Sequence, residues 1–106
     1  MAHENFTSCI EACLRCAQEC EYCGDACIGR AEMANCVRTC RDRSELCWMC
    51  SGYMSRGSSL AVALCRVCAV ACEVCATECG AHQAEHCKRC ADACQRCAEE
   101  CYKMAV

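Results

Sequence analysis

Cysteines recur at intervals of three and four through almost the whole of this 106-residue chain, so sulfur chemistry is what it is equipped to do. The first run is Cys9, Cys13, Cys16, Cys20, Cys23 and Cys27. The second half carries Cys65, Cys68, Cys72, Cys75 and Cys79, then Cys87, Cys90, Cys94, Cys97 and Cys101. Cys36, Cys40, Cys47 and Cys50 lie between, for a total of 20. Structural zinc takes four ligands in a tetrahedron, usually from loops or turns, and gains nothing from unbroken stripes. The cysteine run of bacterial iron–sulfur ferredoxins ends in Cys-Pro, and this chain has no proline. A redox Cys-x-x-Cys needs one pair set apart at a helix N-terminus, but that spacing occurs here seven times. Cu(I) fits best, because it is soft, prefers thiolate or thioether, and is satisfied by two or three of them. Cys-x-x-x-Cys occurs eight times, at Cys9/Cys13, Cys16/Cys20, Cys23/Cys27, Cys36/Cys40, Cys68/Cys72, Cys75/Cys79, Cys90/Cys94 and Cys97/Cys101. Residues four apart on a helix are neighbours, so both sulfurs can be turned toward one ion.

Charge constrains the loading. Two thiolates around one Cu(I) carry a net negative charge, and many such units stacked in a low-dielectric interior are very unfavourable. Thiolates shared between ions bring the copper:sulfur ratio toward one and the charge toward zero. The expected ceiling is therefore above about ten ions, approaching one per thiol, whereas separate four-thiolate sites would saturate at about five.

Steps of three and four return to one face of an α-helix, so the thiols form stripes along helices. In heptad terms Phe6, Cys13, Cys20 and Cys27 fall at a and Cys9, Cys16 and Cys23 at d, on a helix from about Glu4 to Ile28 that stops at Gly29. A second helix, about Ala31 to Ser55, has Met33, Cys40, Cys47 and Met54 at a, with Cys36, Arg43 and Cys50 at d. Gly57 is a stop, and Ser58 and Ser59 offer an N-cap for a third helix from about Ser59 to Gly80. That helix has Cys65, Cys72 and Cys79 at a, with Cys68 and Cys75 at d. After a connection around Gly80 to Gln83, the fourth helix has Cys87, Cys94 and Cys101 at a, with Cys90, Cys97 and Met104 at d. Four helices of similar length with short connections predict an all-α fold. It would be a single domain over residues 1–106, an antiparallel up-down-up-down four-helix bundle with a cysteine-lined core.

Leu, Ile, Val and Phe total 13 residues, too few for an ordinary core. Cysteine, which is often fully buried, must supply the missing volume. Helix 4 turns Lys88, Arg89, Asp92, Arg96, Glu99 and Glu100 outward. Helix 3 is apolar nearly all round, with Val62, Ala63, Val67, Ala69, Val70, Ala71 and Val74 against a narrow stripe of Arg66 and Glu73. Such a face predicts a homo-oligomer interface.

A secreted disulfide scaffold is the usual reading of so much cysteine. The stretch Met1-Ala2-His3-Glu4-Asn5 has neither the basic segment nor the apolar run of a signal peptide, and cysteines at i and i+4 on a helix are too far apart for an unstrained disulfide. Free thiols in a reducing cytoplasm are expected instead. No stretch approaches the roughly 20 apolar residues of a membrane span. The net charge of −3 comes without a basic patch, which speaks against a nucleic-acid partner.

The chain resembles the bacterial copper storage proteins, in their cytosolic branch without a signal peptide. The resemblance covers essentially its whole length. Its carriers are the Cys-x-x-x-Cys-x-x-Cys run of helix 1, Cys36-Val37-Arg38-Thr39-Cys40-Arg41-Asp42, the turn Arg56-Gly57-Ser58-Ser59, and Glu85-His86-Cys87-Lys88-Arg89-Cys90. It implies a four-helix bundle that fills its core with multiple Cu(I) ions and assembles as a homotetramer. One departure is Arg43, which stands where the stripe calls for cysteine; it either snorkels outward or offsets thiolate charge.

Antiparallel topology gathers Cys27, Met33, Cys79, His82, His86 and Cys87 at one end, and Phe6, Tyr53, Met54, Leu60, Leu64, Tyr102 and Met104 at the other. The first is the expected mouth, where Met33, His82 and His86 offer exchangeable ligands, although Met33 is equally a core filler and the histidines could be merely solvated. The second is an apolar plug, with Met54 and Met104 as core. Trp48 and the tyrosines are read as packing residues, and His3 as a flexible terminal residue. Function is therefore expected to be cytosolic Cu(I) storage and detoxification, without enzymatic activity and with no donor or acceptor protein identified. The alternatives are a metallothionein-like sink for Zn(II) or Cd(II), and a thiol redox enzyme, which would need one accessible low-pKa thiol.

Overall fold

A computed structural model describes residues 6–105. His3 and the expected helix start at Glu4 lie outside them. The described residues form four α-helices: α1, Thr7–Cys27; α2, Ala34–Ser55; α3, Ala61–Gly80; and α4, Glu85–Ala105. A single 3-10 turn, Ala31–Met33, leads into α2. There is no strand among the described residues. At the start of α1 Phe6 takes the N-cap position and packs on the core.

The helix ends follow from local chemistry. α1 closes in a turn in which Arg30 N–H donates to the Cys27 carbonyl (3.3 Å), with Ile28 extended and Gly29 at φ +92°. That is a type II turn, whose third position requires positive φ and hence glycine. α2 ends with Gly57 at φ +66°, Gly57 N–H on the Met54 carbonyl and Ser58 N–H on the Tyr53 carbonyl, the paired bonds of a Schellman cap. The serines do not cap α3 as the sequence suggests. Leu60 holds that position without a side-chain cap, and Ser58 Oγ instead accepts from Leu60 N–H (3.1 Å) inside the turn.

Neighbouring helices run antiparallel. Between α1 and α4 the sulfurs pair as Cys9/Cys101, Cys13/Cys97, Cys16/Cys94, Cys20/Cys90 and Cys23/Cys87, one index rising as the other falls. Between α2 and α3 the same sense holds for Cys36/Cys79, Cys40/Cys75 and Cys50/Cys65. α1 also packs on α2, and α3 on α4, closing the ring. The α1–α2 approach is close: a Cβ on Gly24 would lie 3.3 Å from the Cys40 Cβ, so glycine lets these backbones meet.

The interior is what sets this bundle apart. All 20 cysteines are buried, accompanied by Ala12, Ala17, Ala61, Ala69, Ala98, Met33 and Met54. Among the described residues no Leu, Ile, Val or Phe is fully buried. Phe6, Tyr53, Leu64 and Met104 pack on the core's edge, as a plug would. Leu60 and Tyr102 do not belong to it; both are exposed, and Tyr102 Oη donates to Glu73 Oε1 (2.6 Å). Trp48 and Tyr22 are likewise surface residues, with Trp48 Nε1–H on Glu21 Oε2 (3.1 Å). The thiol core offers no room for large rings, so the Trp48 indole N–H finds its partner outside, and the Tyr22 ring lies under the Arg89 guanidinium. On α3, Ala69 points inward, whereas Val67, Val70 and Val74 are 52%, 57% and 53% exposed.

Candidate metal centre

A buried sulfur column is the consequence of placing cysteine at every a and d position but a few. The α1–α4 rungs have Sγ–Sγ distances of 3.6, 3.5, 3.5, 3.6 and 3.8 Å from Cys9/Cys101 to Cys23/Cys87. The two halves of the ring join through Cys40/Cys90 (3.8 Å), Cys47/Cys97 (4.0 Å), Cys79/Cys90 (3.6 Å) and Cys13/Cys68 (3.9 Å). Pairs four apart on one helix are also close, as in Cys16/Cys20 (3.9 Å) and Cys75/Cys79 (3.8 Å). The cross-helix rungs include the shorter contacts, and the sequence spacing alone did not rank them. All 20 cysteines are free thiols.

Sulfurs cluster into overlapping groups whose ligand atoms all lie within 4.8 Å of one another. They include Cys13/Cys68/Cys97/Cys101, Cys20/Cys40/Cys75/Cys90, Cys23/Cys40/Cys79/Cys90 and Cys9/Cys65/Cys101. Cys40 and Cys90 serve two of these groups, and Cys101 serves two as well. Independent four-ligand sites cannot all be filled from such a set. Shared, bridging thiolates can fill it, which is the arrangement soft monovalent copper accepts.

At the α1/α4 end a further group joins Cys23, Cys27 and Cys87 to His86. His86 Nδ1 lies 3.3 Å from Cys23 Sγ and 3.6 Å from Cys87 Sγ. His82 is not part of this group; its Nε2 pairs with Glu78 Oε2 at 3.0 Å. Met33 is buried beside the thiols, while Met54 ends the column at the other extreme, with its Sδ 3.7 Å from Cys65 Sγ. Near the mouth, burial, followed by the charges of Cys36 and Cys23, pushes the Cys27 thiol up to about 12. Burial and then Cys40 do the same to Cys36, also to about 12. These thiols are neutral at pH 7 until a metal replaces the proton. Deeper in, hydrogen bonds from Cys101 and then Cys13 bring Cys97 down to about 6.

Arg43 breaks the stripe without leaving it. Its side chain is fully buried, so the outward-snorkelling alternative does not hold. Nη2–H donates to both Cys47 Sγ and Cys68 Sγ, the latter at 2.8 Å. Burial opposes its charge, but the surrounding sulfurs of Cys47, Cys72, Cys68 and Cys16 outweigh that and hold the guanidinium pKa above its usual value. Snorkelling would require the stem to lie along the surface, and a d position aims it at the bundle axis instead.

A sequence-family model described as copper storage protein matches residues 2–106. This chain belongs to the copper storage protein family. Among solved structures, a Cu(I)-bound copper storage protein of Bacillus subtilis superposes with a TM-score of 0.90 at 37% identity, over 94% of this chain and 97% of that one. A cytosolic copper storage protein from Streptomyces lividans, carrying five coppers, superposes with a TM-score of 0.92 at 35% identity, over 98% of this chain and 94% of that one. A cysteine-rich protein of Bacillus subtilis (strain 168), YhjQ, is 38% identical over 65 residues, a stretch that spans 58% of this chain and 60% of the relative. Family membership and the sulfur column agree on the same chemistry.

Proposed function

We propose that this copper storage family member is a cytosolic Cu(I) store, one domain over residues 1–106, which fills its interior with many Cu(I) ions and so removes them from the cell's reactive pool. The observation that carries the reading is the continuous column of 20 buried free thiols in overlapping groups. All of Cys9, Cys13, Cys16, Cys20, Cys23, Cys27, Cys36, Cys40, Cys47, Cys50, Cys65, Cys68, Cys72, Cys75, Cys79, Cys87, Cys90, Cys94, Cys97 and Cys101 are ligands in this reading. The cytosolic location follows the Streptomyces lividans relative. The protein is a binder and not an enzyme: a catalytic thiol must be accessible to its partner, and every thiol here is buried. The apolar face of α3 is the interface of a homotetramer in this reading, since an exposed contiguous apolar surface is normally covered. Protein purified anaerobically from copper-fed cells should carry copper in large molar excess over zinc; comparable amounts of the two would favour the metallothionein-like sink instead.

His86 is the uptake ligand at the mouth, beside Cys23 and Cys87, with Met33 buried in the core and His82 held aside by Glu78. Replacing His86 with Ala should slow copper uptake by about tenfold in stopped-flow mixing, with the final capacity unchanged, because outer contacts commonly carry effects of 10–100-fold. His82→Ala should change the rate by less than about twofold, as its ring is committed to a hydrogen bond with Glu78. Equal rates for the two variants would remove His86 from the uptake path.

A further inference from the structure

We propose that Arg43 is a resident cation of the thiolate core, standing in the place of one Cu(I), so that the saturated protein holds one ion fewer than it has core thiols. The inference rests on the proposed filling of this core with Cu(I). Arg43 occupies a d position of α2, in line with Cys36 and Cys50, and is fully buried. Its Nη2 bridges Cys47 of its own helix and Cys68 of α3. Nε and Nη1 are buried without any hydrogen-bond partner. Sulfur is therefore what solvates this charge. Among the described residues the other buried polar side chains are Ser44 and Ser51. Ser44 Oγ donates to the Arg41 carbonyl and Ser51 Oγ to the Trp48 carbonyl, so neither attends to Arg43. No carboxylate is buried with it.

A buried charge without a partner is very costly, so the guanidinium requires a negative neighbour. Guanidinium stays protonated under all ordinary conditions, which makes its charge permanent. Each Cu(I) that enters a shared-thiolate core neutralises one thiolate, and the core is neutral when cations and thiolates are equal in number. With Arg43 counted among the cations, neutrality arrives one ion early. The bond from Nη2 also occupies a lone pair on each of Cys47 and Cys68 and places a cation where a further ion would otherwise sit. The middle of the α2–α3 seam is then the copper-poor part of the column.

Native mass spectrometry of the full chain, saturated with Cu(I) without oxygen, reads this number directly. The heaviest well-populated species should fall one ion short of the thiol count. Arg43→Leu, an apolar residue with no group that binds copper, should gain one ion. Arg43→Lys, which keeps a cation there, should match the unaltered chain. An unchanged maximum in Arg43→Leu overturns the assignment, and so does an equal gain in Arg43→Lys. On the unaltered chain, the Arg43 Nε–H resonance should stay protected from solvent exchange at saturation; its loss would mean that the side chain is expelled, which also overturns the assignment. An unaltered chain that takes up only a few ions would defeat the storage reading and this inference together, a result distinct from equal high capacities in the chain and its Leu variant.

Discussion

Filling the core with Cu(I) should raise the melting temperature of this protein by more than about 20 °C, measured anaerobically by circular dichroism on matched apo and loaded samples. The apo core is built from cysteine, alanine and two methionines, with no fully buried Leu, Ile, Val or Phe among the described residues. Burial free energy scales with apolar area at about 25 cal/mol per Å², so small side chains leave the apo bundle at the modest end of the usual 5–15 kcal/mol range, roughly. A ligand that binds only the native state adds RT ln(1 + [L]/Kd), about 4 kcal/mol per site at a thousandfold excess over Kd. Unfolded thiols also bind copper, which reduces that gain. The folded state keeps an advantage because sulfurs from four helices already stand 3.5–4.0 Å apart, and the unfolded chain must order itself to match. A gain of 1 kcal/mol moves the melting point of a domain this size by about 4–8 °C, so even a fraction of one ion's contribution at each of many sites exceeds the stated shift. A shift below about 5 °C would show that copper binds folded and unfolded chains alike, and that the bundle is no more than a scaffold of convenience.

Replacing Cys90 with alanine should weaken the hold on at least about two copper ions, whereas Cys9→Ala should weaken about one, because a bridging thiolate serves more than one soft ion. Cys90 Sγ lies within reach of Cys20 (3.6 Å), Cys79 (3.6 Å), Cys40 (3.8 Å) and Cys75 (4.0 Å). It belongs to two overlapping sulfur groups. Cys9, at the end of the column, has Cys101 at 3.6 Å and shares a group with Cys65. Deleting the hub leaves four sulfurs short of a bridge; deleting the end leaves one. Each change removes a single buried atom, so the apo fold should lose only about 1 kcal/mol, and thermal melts of the apo variants check that. Titration of the loaded variants with a strong Cu(I) chelator then counts the ions that are given up more readily than from the unaltered chain. Equal numbers from both variants would mean that sulfurs are not shared.

Much of this was legible in the sequence because cysteine here carries two signals at once. Its three-and-four spacing marks the helices, and its placement at a and d marks the inside, so every one of the 20 thiols was assigned to the core that holds it. Glycines at 29 and 57 marked the ends of α1 and α2, since both sites require positive φ. Other features depend on what periodicity does not carry. Whether Arg43 turns inward or snorkels is decided by the bundle axis and by the sulfurs that receive its Nη2, not by its heptad letter alone. His82 and His86 are one helical turn apart in number, yet His86 starts α4 beside Cys23, and His82 precedes the helix and meets Glu78 of α3. Ser58 binds within its own turn because the chain reaches Leu60 before the helix begins. Trp48 and Tyr102 read from the sequence as packing residues, but a core of closely spaced thiols excludes large rings and both lie at the surface.

Anaerobic titration with Cu(I) against a strong Cu(I) chelator, in the presence of excess zinc, tests the central claim most directly. The chelator should stay copper-free until the protein has taken up well above about ten ions, approaching one per thiol, and zinc should not displace them, as shared thiolates and a soft ion require. Saturation at about five ions, or displacement of copper by zinc, would mean separate tetrahedral four-thiolate sites and would contradict it.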